Sequence, residues 1–156
     1  MRSPKIQIIL ADDDQDDCLL IEDALTELPL DFQLMIVHDG DSLINRLHAL
    51  HDSELPDVLY LDLNMPRKGG LECLHEIKAS DKLKSLPVVI CSTSMEEEIA
   101  DTVYKQGACF YIKKPTDFTH LKEVLHLSIN YIRNHAWERP LRENFVLTGD
   151  FNKSII

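Results

Sequence analysis

Acidic, hydroxyl and lysine side chains stand directly after four of the apolar runs in this sequence. Asp12–Asp14 follow the first run, Asp62 ends the third, Ser92–Thr93 end the fourth and Lys113–Lys114 follow the fifth. Converging carboxylates repel one another unless a cation lies among them, and Mg²⁺ prefers such oxygen ligands and pairs readily with phosphate. A lysine opposite the acids can neutralise charge on a transferred phosphoryl group. If the fold brings the four positions together, they can support Mg²⁺-assisted phosphoryl chemistry on a carboxylate.

The elements that would position these side chains alternate regularly along the chain. Short apolar runs predict buried strands, and longer runs with apolar residues every three or four positions predict amphipathic helices. The predicted strands are Ile6–Ala11, Phe32–Val37, Val58–Leu61, Val88–Cys91 and Phe110–Ile112. Five successive β–α units with continuous apolar strands predict a doubly wound α/β fold, a five-stranded parallel sheet with helices on both faces. In such folds the functional crevice lies at the carboxyl ends of the strands, where these polar residues stand.

Turn and capping residues mark the ends of several predicted helices. Pro29 stops the first helix, and Asp41 or Ser42 caps the second. The segment Ser94–Glu97 has the spacing of a capping box at the start of the fourth helix, and Gly107 ends that helix.

Each polar residue at a strand end also has an ordinary structural explanation. An Asp there more often caps a turn than takes part in chemistry, and a lysine before proline is commonly solvated. Acids at a helix start are stabilised by the positive end of the helix dipole, and this is the favoured interpretation for Asp14, Asp16 and Asp17. For the remaining residues, the coincidence at four strand ends favours a functional site.

Composition limits the class of protein. A length of 156 residues and a hydrophobic fraction of 44% suit one domain with one core. The formal charge of −11 argues against nucleic acid as a direct partner, because phosphate binding needs clustered Lys and Arg. No apolar run approaches the roughly 20 residues that cross a bilayer, and the first run is too short for a secretory segment. We therefore expect a cytoplasmic protein without a membrane partner.

Cysteines and histidines indicate no second site. The four cysteines are widely spaced, form no C-x-x-C pair and lie in apolar patterns, where a free thiol behaves as a small hydrophobe. His48 and His51 stand at helical spacing but have no third ligand nearby in the sequence. We therefore assign neither a disulfide framework nor a metal to these residues.

Four stretches give the sequence a resemblance to a known family. They are Ile8–Asp14 (IILADDD), Asp57–Pro66 (DVLYLDLNMP), Pro87–Ser92 (PVVICS) and Gly107–Pro115 (GACFYIKKP). In order and spacing they resemble the receiver domain of two-component response regulators, a family that includes the chemotaxis regulator. The resemblance covers about residues 5–135 and implies a flavodoxin-like receiver fold. Residues 136–156 would then extend the last helix and form a tail.

The resemblance implies a Mg²⁺ site around a phosphoacceptor. By position, Asp62 resembles the family's phosphoacceptor, Asp13 its direct metal ligand and Asp12 the acid that acts largely through water. Asn64 would offer its backbone carbonyl to the metal. These four residues are the expected surroundings of the ion.

The resemblance also assigns residues to the phosphoryl group and to a switch. Ser92 is similar to the hydroxyl residue that hydrogen-bonds a phosphoryl oxygen, and Lys114 to the family's lysine. Thr93 lies at the phosphoryl site, where the family often has a smaller residue. Tyr111 falls at the aromatic switch position, whose ring turns inward when the Ser92 hydroxyl moves. An ordinary edge aromatic is the alternative for Tyr111.

The implied function is that of a single-domain response regulator that catalyses only its own phosphorylation and dephosphorylation. It would accept a phosphoryl group on Asp62 from a histidine kinase or histidine phosphotransfer protein. The expected output surface comprises the fourth helix, fifth strand and fifth helix, through which a homodimer is also expected. A Mg²⁺-dependent phosphohydrolase is one alternative, although Asn64 stands where such enzymes place a second acid. The other is a pseudo-receiver that works purely as a binding module.

Residues 141–156 leave the repeated pattern. The segment is too short for a DNA-binding output domain. We expect a tail that packs back on the domain or frays, and docking to a kinase or to a second copy is the alternative.

Overall fold

The computed structural model of the chain describes residues 5–135 and 138–148, and a parallel sheet forms its centre. The strands are β1 (Ile6–Ala11), β2 (Phe32–Val37), β3 (Val58–Asp62), β4 (Val88–Ser92), β5 (Phe110–Lys113) and β6 (Val146–Leu147). All neighbours are parallel, in the order β2-β1-β3-β4-β5-β6. The carboxyl ends of β1, β3, β4 and β5 therefore lie side by side along one edge of the sheet.

Helices cover both faces of this sheet. They are α1 (Gln15–Thr26), α2 (Gly40–Ala49), α3 (Gly70–Ala79), α4 (Glu97–Lys105) and α5 (Phe118–Asn134). Helices α1 and α5 bury Ile21 and Leu125 against one face. Helices α2, α3 and α4 bury Leu43, Leu74 and Val103 against the other. The predicted doubly wound α/β fold is confirmed, but the described residues form six strands rather than five. Within residues 5–135 and 138–148, no helix has both the length and the apolar character that a membrane span requires.

Aspartates cap the first two helices. The Asp14 side chain accepts hydrogen bonds from two backbone N–H groups in the first turn of α1. The cap of α2 is Asp39, whose carboxylate accepts both the N–H and the hydroxyl of Ser42. The prediction of Asp41 or Ser42 as the cap is therefore wrong, because the chain becomes helical one residue before Asp41.

The predicted capping box of α4 does not form. Helix α4 begins at Glu97 after Glu96, and Glu96 makes no side-chain capping bond. Ser94 remains in the β4–α4 loop, where its N–H donates to the Ser92 hydroxyl over 3.4 Å and its carbonyl accepts the Tyr111 hydroxyl over 2.7 Å. These bonds to β4 and β5 keep Ser94 away from the helix end.

Residues 138–148, which we call the C-terminal strap, turn back onto α4 and β5. Phe145 is fully buried, and its ring packs edge-on against Tyr104 with the ring centroids 4.9 Å apart. Arg142 forms ion pairs with Glu97 at 2.7 Å and Asp101 at 2.8 Å, both on α4. Contacts of buried aromatic and charged side chains thus attach the strap to the domain.

The strap also bonds to the backbone and supplies the sixth strand. Strand β6 continues the sheet beyond β5, and the Tyr111 N–H donates to the Phe145 carbonyl at 3.1 Å. The Tyr104 hydroxyl donates to the Pro140 carbonyl at 3.0 Å, and the Arg139 guanidinium lies 4.3 Å from the centre of the Tyr104 ring. Of the two expected behaviours of the tail, residues 138–148 show packing back; residues 149–156 lie outside the described residues.

Candidate functional site

Three carboxylates meet at the carboxyl edge of the sheet. Asp12 and Asp13 follow β1, and Asp62 is the last residue of β3, the adjacent strand. One oxygen from each carboxylate lies within 4.8 Å of the other two. Asp12 is fully buried and Asp62 is 7% exposed, whereas Asp13 faces solvent. This is an oxygen donor set of the kind that a hard divalent cation prefers.

Lys114 brings a positive charge to these acids from the end of β5. Its Nζ lies 2.7 Å from a carboxylate oxygen of Asp12 and 2.8 Å from one of Asp17. Burial alone would lower the pKa of the Lys114 ammonium, but the hydrogen bonds to Asp12 and Asp17 outweigh it and raise that pKa above its usual value. The lysine is therefore charged, and it is held between β1 and α1.

Asp62 lies where a negative charge is destabilised. Burial raises the pKa of its carboxyl to about 7; Lys114 opposes that rise and Asp12 adds to it. The N–H of Asn64 donates to the carboxylate at 3.3 Å, but the side chain of Asn64 is exposed. A cation shared by Asp62, Asp12 and Asp13 would relieve this repulsion, so the residues present fit a Mg²⁺ ion.

The loop after Asp62 depends on one of the two glycines at its end. A Cβ atom on Gly70 would lie 2.4 Å from the Asp62 carbonyl oxygen and 2.7 Å from the Cα of Leu63. A Cβ atom on Gly69 would instead meet its nearest atom at 3.5 Å, an ordinary contact. Helix α3 can therefore start this close behind Asp62 only because residue 70 has no side chain.

The hydroxyl and aromatic residues lie on β4, the loop after it and β5. Ser92 is almost fully buried, and its carbonyl accepts the backbone N–H of Lys114 at 2.7 Å. Thr93 is exposed beside it. The Tyr111 ring is 1% exposed and points into the domain, where its hydroxyl bonds to Ser94. A cleft of about 290 Å³ between the β3–α3 and β4–α4 loops is lined by Ser92 and Tyr111.

The structure thus brings together most of the residues that the sequence singled out. Asp12, Asp13, Asp62 and Lys114 form one cluster, with Ser92 one strand away from Asp62. Asn64 reaches the cluster through its backbone, and Thr93 borders it at the surface. Tyr111 lies behind Ser92 and already has its ring inside the domain.

Asp17 is a member of the cluster that the sequence interpretation missed. We interpreted it as a helix-start acid, but its carboxylate pairs with Lys114. The apolar stripe of α1 contained the necessary information. Asp17 lies four residues before the buried Ile21 and seven before the buried Ala24, so it faces the domain rather than solvent.

Comparisons with known proteins agree with this geometry. The family model of the response regulator receiver domain matches residues 8–126. The response regulator Rcp1 of Synechocystis sp. is 32% identical over 125 residues, which is 78% of this chain and 84% of Rcp1. The crystal structure of the phosphorylated cyanobacterial phytochrome response regulator RcpA has a TM-score of 0.75 at 30% identity, covering 88% of this chain and 100% of RcpA. The Mn²⁺-bound form of Rcp1 has a TM-score of 0.72 at 30% identity, covering 88% of this chain and 100% of Rcp1.

Proposed function

The chain belongs to the response regulator receiver family, and on that premise we propose that it is a switch that accepts a phosphoryl group on Asp62. The donor would be a phosphohistidine on a histidine kinase or a histidine phosphotransfer protein. The observation that carries the proposal is the cluster of Asp12, Asp13, Asp62 and Lys114 at the carboxyl edge of the sheet. The phosphorylated state of RcpA and the Mn²⁺-bound form of Rcp1 are consistent with the same chemistry here.

In the proposed reaction, an Asp62 carboxylate oxygen attacks the phosphorus of the phosphohistidine. The new bond is O–P, the bond that breaks is N–P, and the departing imidazole takes up a proton. Asp12, Asp13, Asp62 and the Asn64 carbonyl would hold Mg²⁺, whose charge offsets the repulsion between the carboxylate and the phosphoryl group. The product is an acyl phosphate that water later hydrolyses.

Two further residues would act on the transferred group. The Lys114 ammonium would hold one phosphoryl oxygen, and the Ser92 hydroxyl would donate a hydrogen bond to another. The added charge and acceptor oxygens would draw Ser92 toward Asp62. Tyr111 lies on the neighbouring strand and would respond to the movement of Ser92. We therefore expect the output at α4, β5 and α5, through protein contacts and a homodimer on that surface.

This role makes the protein a signalling component of the cytoplasm rather than an enzyme that acts on other molecules. Receiver-family membership supports a regulator, and Asn64 occupies the place where a phosphohydrolase needs an acid. A pseudo-receiver is disfavoured because Asp13, Asp62, Ser92 and Lys114 are all present.

Labelling by acetyl phosphate with Mg²⁺ tests the proposal. The intact chain should gain the mass of one phosphoryl group, and Asp62→Asn should gain none. The matched control is Asp81→Asn, which removes a fully exposed carboxylate just after the end of α3 and should label normally. Persistent labelling of Asp62→Asn would refute the assignment. Absence of labelling in the intact chain would favour the pseudo-receiver, and repeated turnover of p-nitrophenyl phosphate would favour the phosphohydrolase.

A further inference from the structure

Two carboxylates, rather than one, hold the Lys114 ammonium. Asp12 lies beside it on the loop after β1, and Asp17 reaches it from the first turn of α1, 97 residues away in the sequence. The Lys114 side chain is 11% exposed, the Asp12 side chain is fully buried and the Asp17 side chain is 27% exposed. Charge-assisted bonds that are this short and this sheltered from water define the position of the ammonium group.

The number of donors on Lys114 makes this pairing consequential. An ammonium has three N–H donors and no acceptor. Within residues 5–135 and 138–148, Lys114 Nζ bonds to Asp12 and Asp17, which leaves one N–H. Two fixed bonds restrict the rotation of the ammonium group about its Cε–Nζ bond, so the direction of the third donor is fixed as well.

Capping of α1 does not require the side chain of Asp17. The Asp14 side chain already accepts the N–H groups of Asp16 and Asp17 at 2.9 and 3.1 Å. Asp16 stands in the same first turn, gives the helix dipole the same favourable charge and is exposed. Asp17 differs from Asp16 in facing the domain and in its contact with Lys114.

We propose that Asp17 is a positioning residue for phosphoryl transfer, which together with Asp12 orients the Lys114 ammonium so that its third N–H meets the phosphoryl group arriving at Asp62. This inference rests on the proposed function of Asp62. Without Asp17, the ammonium has one anchor and can turn toward the carboxylates of Asp13 and Asp62. It would then occupy the space that the metal and the phosphoryl group need.

The test compares Asp17→Asn with Asp16→Asn in the full chain. Both variants remove one negative charge from the first turn of α1, but only the first takes the charged partner away from Lys114 and leaves a neutral amide oxygen in its place. The initial labelling rate is measured with Mg²⁺ over a range of acetyl phosphate concentrations. A misplaced ammonium loses about one charge-assisted bond to the phosphoryl group in the transition state, which predicts a maximal rate about tenfold lower for Asp17→Asn. The half-saturating concentration should stay within about twofold, because the bond positions a group rather than binding the donor. Asp17→Glu should recover most of the rate.

A second measurement does not depend on phosphorylation. In ¹⁵N-lysine-labelled chain without donor, the hydrogen-bonded Lys114 ammonium should give a slowly exchanging NMR signal, assigned by its loss in Lys114→Arg. The signal should persist in Asp16→Asn, and in Asp17→Asn it should exchange with water faster and lose intensity, because Asp12 is then the one charged anchor left. Equal labelling rates for Asp17→Asn and Asp16→Asn would overturn the proposal, and so would an unchanged ammonium signal in Asp17→Asn. A chain that does not label at all would instead overturn the proposed function, while the NMR comparison would still decide whether Asp17 holds Lys114.

Discussion

Replacing Asp62 with asparagine should stabilise the protein at pH 8 and do much less at pH 5. Asp62 is 7% exposed, and its carboxylate lies beside those of Asp12 and Asp13. Burial and Asp12 disfavour its ionised form, and the partly compensating Lys114 is bound to other acids. An asparagine has nearly the same shape without the charge, so the substitution removes the repulsion and keeps the packing.

The pKa of Asp62 determines the size and the pH dependence of this effect. The carboxyl titrates near 3.8 when unfolded and at about 7 when folded, so between these values the folded chain binds more protons and its stability falls as the pH rises. The loss of stability caused by the ionised Asp62 carboxylate is small below pH 4, grows up to pH 7 and is complete above pH 7. Because one pKa unit corresponds to about 1.4 kcal/mol, its upper limit is about 4 kcal/mol. Asp62→Asn also loses the attraction to Lys114, and the ionised carboxylate of the intact chain can move toward water. We therefore expect Asp62→Asn to raise the free energy of unfolding by about 2 kcal/mol at pH 8.

Urea unfolding followed by circular dichroism, with a chelator present, measures the difference. The free energy of unfolding of Asp62→Asn should exceed that of the intact chain at pH 8, and the gap should fall by more than half at pH 5. Saturating Mg²⁺ should narrow the gap at pH 8, because the ion stabilises only a folded chain that binds it. Asp81→Asn should show no such dependence on pH. If Asp62→Asn were less stable than the intact chain at pH 8, or stabilised equally at both pH values, the ionised Asp62 carboxylate would not be destabilising in the folded chain.

Three further substitutions test the packing around the site by the same unfolding assay. Gly70→Ala should lower the free energy of unfolding by at least about 2 kcal/mol, because its Cβ would lie 2.4 Å from a backbone oxygen, and Gly69→Ala should lower it by less than about 0.5 kcal/mol. Equal losses for the two variants would contradict the geometry. Phe145→Ala should lower the free energy of unfolding by about 3 kcal/mol, because it removes a buried aromatic ring, and the exposed Leu141→Ala should lower it by almost nothing. A loss under about 1 kcal/mol for Phe145→Ala would mean that the Phe145 ring adds little to stability. Tyr111→Phe should lose about 1 kcal/mol with its hydroxyl bond, and an unchanged value would indicate that this bond does not form in solution.

The sequence predicted the positions of the site residues because their placement follows from the sheet. In a parallel sheet the carboxyl ends of all strands meet at one edge, so residues that end strands become neighbours whatever their separation in the chain. The Lys114–Asp12 bond joins residues 102 positions apart, yet the alternation of strands and helices was enough to place both at this edge. Patterns of apolar residues determine which edge a residue joins. They do not determine which partner it selects there, and this is why the Asp17–Lys114 pair was missed.

Local rules were less reliable where tertiary contacts compete for the same groups. Ser94 and Glu97 have the spacing of a capping box, but the backbone of Ser94 bonds to Ser92 and Tyr111 instead. Packing back of the tail was expected, but the strand within the strap was missed for a related reason. A strand as short as Val146–Leu147 gives no recognisable periodicity, and its pairing with β5 depends on a buried aromatic and on ion pairs to α4.

The strap changes what the predicted output surface consists of. An edge strand offers free N–H and C=O groups to a partner, but here the outer edge of β5 is paired with β6. The expected homodimer through α4, β5 and α5 remains a prediction, and a second copy would have to bind beside the strap or in its place. Tyr111 connects this surface to the site, since its hydroxyl bonds to Ser94 in the loop after Ser92 and its N–H bonds to Phe145 in the strap. A turn of the Tyr111 ring alone would leave the bond to Phe145 in place, but a shift of the β5 backbone after a change at Asp62 would carry the strap with it or break that bond. The strap is therefore where we expect such a backbone shift to become visible to a partner.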